Sequence, residues 1–158
     1  MTGKLEQTAT VGFDRRQIMV GLMAGAGALL WGGLARGDEA GVKAAIAELF
    51  GGRQAMEGKV SLDLPEIAEN GNTVPVEVSV ESPMTANDYV KSVHLFADGN
   101  PFPEVATFHF TAKSGRAQAA TRMRLAKTQN VLAVAELSDG SIYMASKEVK
   151  VTIGGCGG

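Results

Sequence analysis

Val74-Pro75-Val76-Glu77-Val78-Ser79-Val80 sets a valine at every second position, with proline, glutamate and serine between them. Successive side chains of a strand point to opposite faces, so this heptapeptide is a strand with one apolar and one polar face. The valines require an apolar layer to cover them, which makes the segment part of a sheet packed on a second layer. The same period runs through Val60-Leu62-Leu64 before it, and through the stretches Val90 to Ala97, Val105 to Thr111, Ala117 to Leu125, Val131 to Leu137 and Ile142 to Ile153 after it. Turn signals separate them at Asn70-Gly71, Asp98-Gly99-Asn100-Pro101, Lys113-Ser114-Gly115 and Asp139-Gly140, the last a strong hairpin cue between two apolar strands. About seven short strands so spaced predict an all-β, immunoglobulin-like β-sandwich.

Ahead of the strands, Asp38 to Gly52 carries apolar residues at Val42, Ile46, Leu49 and Phe50, with Asp38 as a cap and Gly51-Gly52 as a stop. This spacing predicts one short amphipathic N-terminal helix. Helix and strands together give a single domain over residues 38–153.

The first 37 residues read differently. Asp14-Arg15-Arg16-Gln17-Ile18-Met19 is followed by an uncharged run from Gln17 to Ala35 and then Arg36. This is the pattern of a twin-arginine signal peptide, with Arg15 and Arg16 as the export signal and cleavage expected near Ala35 to Ala40. Glycine at positions 21, 25, 27, 32 and 33 leaves the run only weakly hydrophobic, so no membrane anchor is expected after cleavage. The expected location is the periplasm. Twin-arginine export carries folded chains, so the protein either folds quickly or leaves the cytoplasm with a partner bound.

The formal net charge is −2, from 15 Lys and Arg against 17 Asp and Glu, and becomes about −4 once the leader is removed; neither value points to nucleic acid or an anionic membrane surface. One cysteine in an oxidising compartment allows no internal disulfide, so stability must come from burial. Chemistry-bearing residues are sparse. His94 and His109 sit in strand patterns, without a second cysteine or clustered acids to form a metal site. Met84 reads as filler, and Asp88 and Asp98 as turn caps. No cofactor or metal is expected, and no active site of its own.

The exception is Gly154-Gly155-Cys156-Gly157-Gly158, where the only cysteine has two glycines on either side. Glycine resists being fixed, and five residues extend to at most about 17 Å, so the thiol can enter a narrow cleft. Val149, Val151 and Ile153 alternate up to the first glycine, which predicts rigid sheet ending at a hinge at Gly154 and a flexible arm over residues 154–158. An ordinary thiol has a pKa of about 8.5 and is mostly protonated near neutrality. No Lys or Arg lies in the arm, the nearest in sequence being Lys150, so activation is expected from the clefts that Cys156 visits.

These features resemble the SoxY family, the sulfur-carrying subunits of the thiosulfate-oxidising Sox system. The similar residues are the twin-arginine leader, Ser82-Pro83-Met84-Thr85, Tyr89-Val90-Lys91-Ser92-Val93-His94-Leu95-Phe96-Ala97, Asn100-Pro101, and the end from Val151 to Gly158. The resemblance covers nearly the whole chain. It implies that Cys156 carries covalently bound sulfur intermediates, with Gly154, Gly155, Gly157 and Gly158 as the flexible arm. A haem enzyme would couple thiosulfate to the cysteine, a hydrolase would release sulfate, and a sulfane dehydrogenase would oxidise the remaining sulfur. The implied stable partner is a SoxZ-like β-sandwich subunit in a heterodimer.

Three other functions fit parts of the sequence. A ubiquitin-like sulfur carrier also ends in Gly-Gly, but the leader and the all-β pattern oppose it. A structural or adhesive sandwich that dimerises through a terminal disulfide would need Cys156 only for dimerisation. A cysteine-dependent hydrolase or peroxidase needs a base held within hydrogen-bond reach, which a flexible tail does not hold.

Overall fold

A computed structural model describes residues 39–155. The leader with Arg15 and Arg16, the cap at Asp38, and Cys156, Gly157 and Gly158 lie outside the described residues. The elements in order are helix α1 (Glu39–Leu49) and strands β1 (Met56–Glu57), β2 (Val60–Asp63), β3 (Ile67–Asn70), β4 (Val74–Val80), β5 (Val90–Ala97), β6 (Glu104–His109), β7 (Ala117–Met123), β8 (Gln129–Leu137) and β9 (Ile142–Ile153), with a one-turn 3-10 helix at Ala112–Ser114. Two sheets form the sandwich expected from the valine pattern. One has the order β1-β9-β8-β5-β6 with β3 also on β9, and the other has the order β2-β4-β7.

The opening valines behave as their period requires. Val74, Val76, Val78 and Val80 are buried between the sheets, while Pro75, Glu77 and Ser79 face outward. Each such side chain contributes about 1.5–3 kcal/mol by leaving water. The central strands β5 and β8 lose the alternation because both of their faces are covered. Val93, Leu95, Val131, Ala133, Ala135 and Leu137 point into the sandwich. Phe96 and Val134 point the other way, into a second core with Val42, Phe50 and Ile142, which α1 closes.

Helix α1 ends where Gly51-Gly52 predicts, both glycines at positive φ (60° and 74°) and Gly52 N–H donating to the Ala47 carbonyl. Of its four expected apolar contacts, Val42 and Phe50 are buried, Ile46 is half-buried and Leu49 is exposed. Arg53 ties this end of α1 to the β8–β9 hairpin, donating to the Phe50 and Gly140 carbonyls and to Glu136 Oε1. The hairpin turns at Asp139-Gly140 as expected, with Gly140 at φ 85° and the Asp139 carboxylate accepting from Ser141.

Strands β1 and β3 have no counterpart in the sequence pattern, giving nine strands where about seven were expected. Each pairs in parallel with a different stretch of the 12-residue β9: Met56 opposite Tyr143, and Ile67, Ala68 and Asn70 opposite Lys150, Val151 and Ile153. Their residues do not alternate, so only the β9 edge makes them strands.

Both histidines are strand residues, as read. His109 is exposed, while His94 is half-buried, with Nε2 3.1 Å from Ser92 Oγ, Nδ1 3.0 Å from Thr107 Oγ1, and its ring edge-on to Phe50 at 5.4 Å. Burial, ahead of the opposing pull of Glu104 and Glu136 and the push of His109, holds the His94 pKa below the ordinary value of 6.5. The folded state thus favours neutral imidazole, and the unfolded chain takes up the proton first as pH falls. His94 therefore contributes stability that is complete above pH 6.5 and declines below it. Urea midpoints measured from pH 8 to 5 should fall less in His94→Gln than in the parent; identical profiles would remove His94 as a source of the acid sensitivity.

Candidate functional site

The chain leading to Cys156 crosses the rim of the sandwich, and three segments meet it there. Gly71 N–H donates to the Ile153 carbonyl at 2.7 Å, Leu125 N–H donates to the Gly71 carbonyl at 2.8 Å, and Gly155 N–H donates to the Leu125 carbonyl at 2.9 Å. The loop after β3 and the loop after β7 therefore clasp the end of β9 from both sides. On the β9 side, Val151 N–H donates to Thr128 Oγ1 at 2.9 Å.

The glycines here are needed for closeness. A Cβ on Gly71 would overlap the Leu125 carbonyl oxygen and come within 2.8 Å of Gly155 N. One on Gly154 would overlap the Ala126 carbonyl oxygen, and one on Gly155 would lie 2.7 Å from the Gly71 oxygen. Backbones approach this closely only where no side chain intervenes. Gly154, expected as the hinge, and Gly155 thus pack against other segments, with Gly155 buried and hydrogen-bonded. The alternation of β9 also stops earlier than expected. Val149 is in the core and Val151 half-buried, but Ile153 is 65% exposed.

A buried polar network holds the gripping loop. Asn100 Nδ2 donates to the Arg124 carbonyl at 2.8 Å, and its Oδ1 accepts from Ala126 N–H at 3.0 Å and Gln129 Nε2 at 2.9 Å. Gln129 Oε1 in turn accepts from Gly99 N–H at 2.7 Å. Asn100 thus fixes both residues flanking Leu125. Asn100→Ala takes the side-chain partner from the Arg124 carbonyl and the Ala126 N–H and leaves Gln129 Nε2 with the Lys127 carbonyl alone, so a loss of about 2–4 kcal/mol and a fall in Tm of about 5–15 °C are expected by thermal unfolding. A loss under about 0.5 kcal/mol would show that water replaces the side chain.

Sequence reasoning read Asn70-Gly71 and Asp98-Gly99-Asn100-Pro101 as turns and missed their convergence on the root of the cysteine segment. The fold also brings Arg124 and Lys127, which flank Leu125-Ala126 in the chain, into the loop that grips Gly154 and Gly155. Met84, read as filler, is buried in the sandwich, its N–H donating to Ser82 Oγ at 3.2 Å. Among the described residues no group of three His, Cys, Asp or Glu side chains is arranged to hold a metal, and no helix is long and apolar enough to cross a membrane.

The sandwich ends in a clasped strand, and the one cysteine of the sequence follows the clasp in the chain. The family model described as sulfur oxidation protein SoxY matches residues 46–156, and the chain belongs to that family. The structure of the sulfur carrier protein SoxY from Chlorobium limicola f thiosulfatophilum is 36% identical, with a TM-score of 0.61 over 71% of this chain and 96% of that one. A superoxide reductase (neelaredoxin) from Ignicoccus hospitalis, at 21% identity and TM-score 0.54 over 59% of this chain and 79% of that one, shares the fold alone. So does a putative superoxide reductase from Thermotoga maritima, at 18% identity and TM-score 0.53 over 61% and 93%. No curated protein sequence matches the chain.

Proposed function

We propose that this sulfur carrier holds its cargo covalently on Cys156, in the periplasm, after export directed by Arg15 and Arg16 and removal of residues 1–37. The observation that supports the reading is the clasp, which holds the chain as far as Gly155, the residue before the cysteine in the sequence. In the first step the thiol and thiosulfate form a sulfur–sulfur bond, losing the thiol proton and two electrons to a haem enzyme. A hydrolase then adds water across the bond to the terminal sulfonate, releasing sulfate and leaving a persulfide. A sulfane dehydrogenase takes the outer sulfur of that persulfide to a sulfonate with three water molecules, passing six electrons to an electron acceptor and releasing the protons, and the hydrolase frees it as a second sulfate. The chain itself supplies no catalytic group and acts as a covalent substrate carrier, paired with a SoxZ-like sandwich subunit. Membership of the family already implies a Sox partner complex.

Arm movement in this reading belongs to Cys156, Gly157 and Gly158. Gly155→Pro is not a neutral probe of arm stiffness, because it deletes the N–H that donates to Leu125. The test is the intact mass of the protein from thiosulfate-grown cells, before and after reduction. Reducible additions of sulfur or thiosulfate on Cys156 support the reading. An unmodified thiol, or only a disulfide dimer, overturns it in favour of a structural sandwich.

A further inference from the structure

We infer that Gly71 is a positioning residue for the carrier cysteine, acting through the backbone of Leu125 and Gly155; this rests on Cys156 being the cargo site. Gly71 lies 84 positions before Gly155 in the chain, yet its carbonyl and N–H close the clasp on both sides. It accepts from Leu125, whose carbonyl accepts from Gly155, and it donates to Ile153. Three consecutive residues of the departing chain are thus tied at both ends of a short loop, and Cys156 is the next residue.

Two lengths of arm follow. With the clasp closed, the chain leaves the body after Gly155 and Cys156 is one peptide unit from a fixed point. With it open, the chain leaves after Ile153, and two more residues add about 7 Å of reach. A closed clasp holds the thiol, or the anionic group it carries, at one place on the rim; an open one lets it enter a deeper cleft. The grip is three backbone hydrogen bonds that join the buried Gly71, Leu125 and Gly155 to one another and to the exposed Ile153. Such bonds open locally without global unfolding, so the two lengths interconvert while the sandwich stays intact.

A methyl group on Gly71 collides with the Leu125 carbonyl oxygen and cannot be accommodated with the clasp closed. The test uses the full chain and two readouts: amide exchange of Gly155 by NMR, and the tumbling of a nitroxide attached to Cys156, the only cysteine. In the parent, Gly155 should exchange about tenfold or more slower than in a free peptide of residues 151–158. Gly71→Ala should bring it within about threefold of the peptide and shorten the nitroxide correlation time about twofold. Val78→Ala, which loosens the core away from the clasp, should change neither. Should Gly71→Ala fail to fold, Gly155→Ala, whose Cβ would meet the Gly71 oxygen, replaces it in both measurements.

A Gly155 amide that exchanges at the peptide rate in the parent overturns the inference, as do unchanged readouts in both variants. Equal effects from Val78→Ala would reduce Gly71 to a structural residue. Loading of Cys156 with thiosulfate, followed by mass, is independent of these outcomes. Loading without Gly155 protection sinks the clasp alone, and protection without loading sinks the carrier reading alone.

Discussion

Cys156→Ser is expected to reduce thiosulfate-dependent sulfur loading to background, a loss of about 10³-fold or more, while leaving thermal unfolding unchanged within about 0.5 kcal/mol. Serine keeps the shape of the side chain but offers an oxygen that forms no sulfur–sulfur bond. The fold should not notice, because the two cores are built from other residues. Loading is read by intact mass and stability by calorimetry on the same preparation. Retained loading would place the cargo elsewhere on the molecule. A fall in Tm of more than about 5 °C would mean that the cysteine packs against the body, which a carrier site cannot afford.

Phe96→Ala should have the largest effect on stability, about 3–5 kcal/mol, a large share of the 5–15 kcal/mol that a domain of this size has in total. Phe96 is fully buried at the centre of the core that joins α1 to the six-stranded sheet, packed with Val42, Phe50, Val134 and Ile142. Its ring also stacks on His94 at 6.5 Å. The cavity cannot be filled from the sandwich side, since the β5 and β8 backbones lie between the two cores. Denaturant unfolding should show the loss, and amide exchange should show α1 opening first. A cost below about 1 kcal/mol would mean that α1 contributes little to the fold. Cys156 loading in the folded fraction should persist, because the clasp is made by other segments.

Much of the sandwich was legible because a strand with one wet face writes its burial into a two-residue period. β4 and its four valines are the plainest case, and the Asp139-Gly140 hairpin was equally readable from its turn chemistry. The helix stop was legible for the same local reason, since Gly51 and Gly52 adopt positive φ. β1 and β3 were illegible because their strand character comes from β9, which borders them at opposite ends of its length. Ile153 continues the alternation of Val149 and Val151 yet is exposed, because alternation reports a face and not what covers it.

The candidate site divides in the same way. The cysteine, its four glycines and the resemblance of the flanking motifs were all in the sequence. The meaning of Gly154 and Gly155 was not. A glycine that supplies freedom and a glycine that makes room for another backbone are the same letter. Only the partner atom tells them apart, and here the partners, Gly71, Leu125 and Ala126, lie 28 or more positions away. By itself the sequence determined which residue can bear sulfur and which faces must be buried, because side-chain chemistry and strand period are local properties. That Gly154 and Gly155 are held by other segments was decided only by tertiary structure, because it depends on hydrogen bonds and close approaches between segments that the chain order keeps apart.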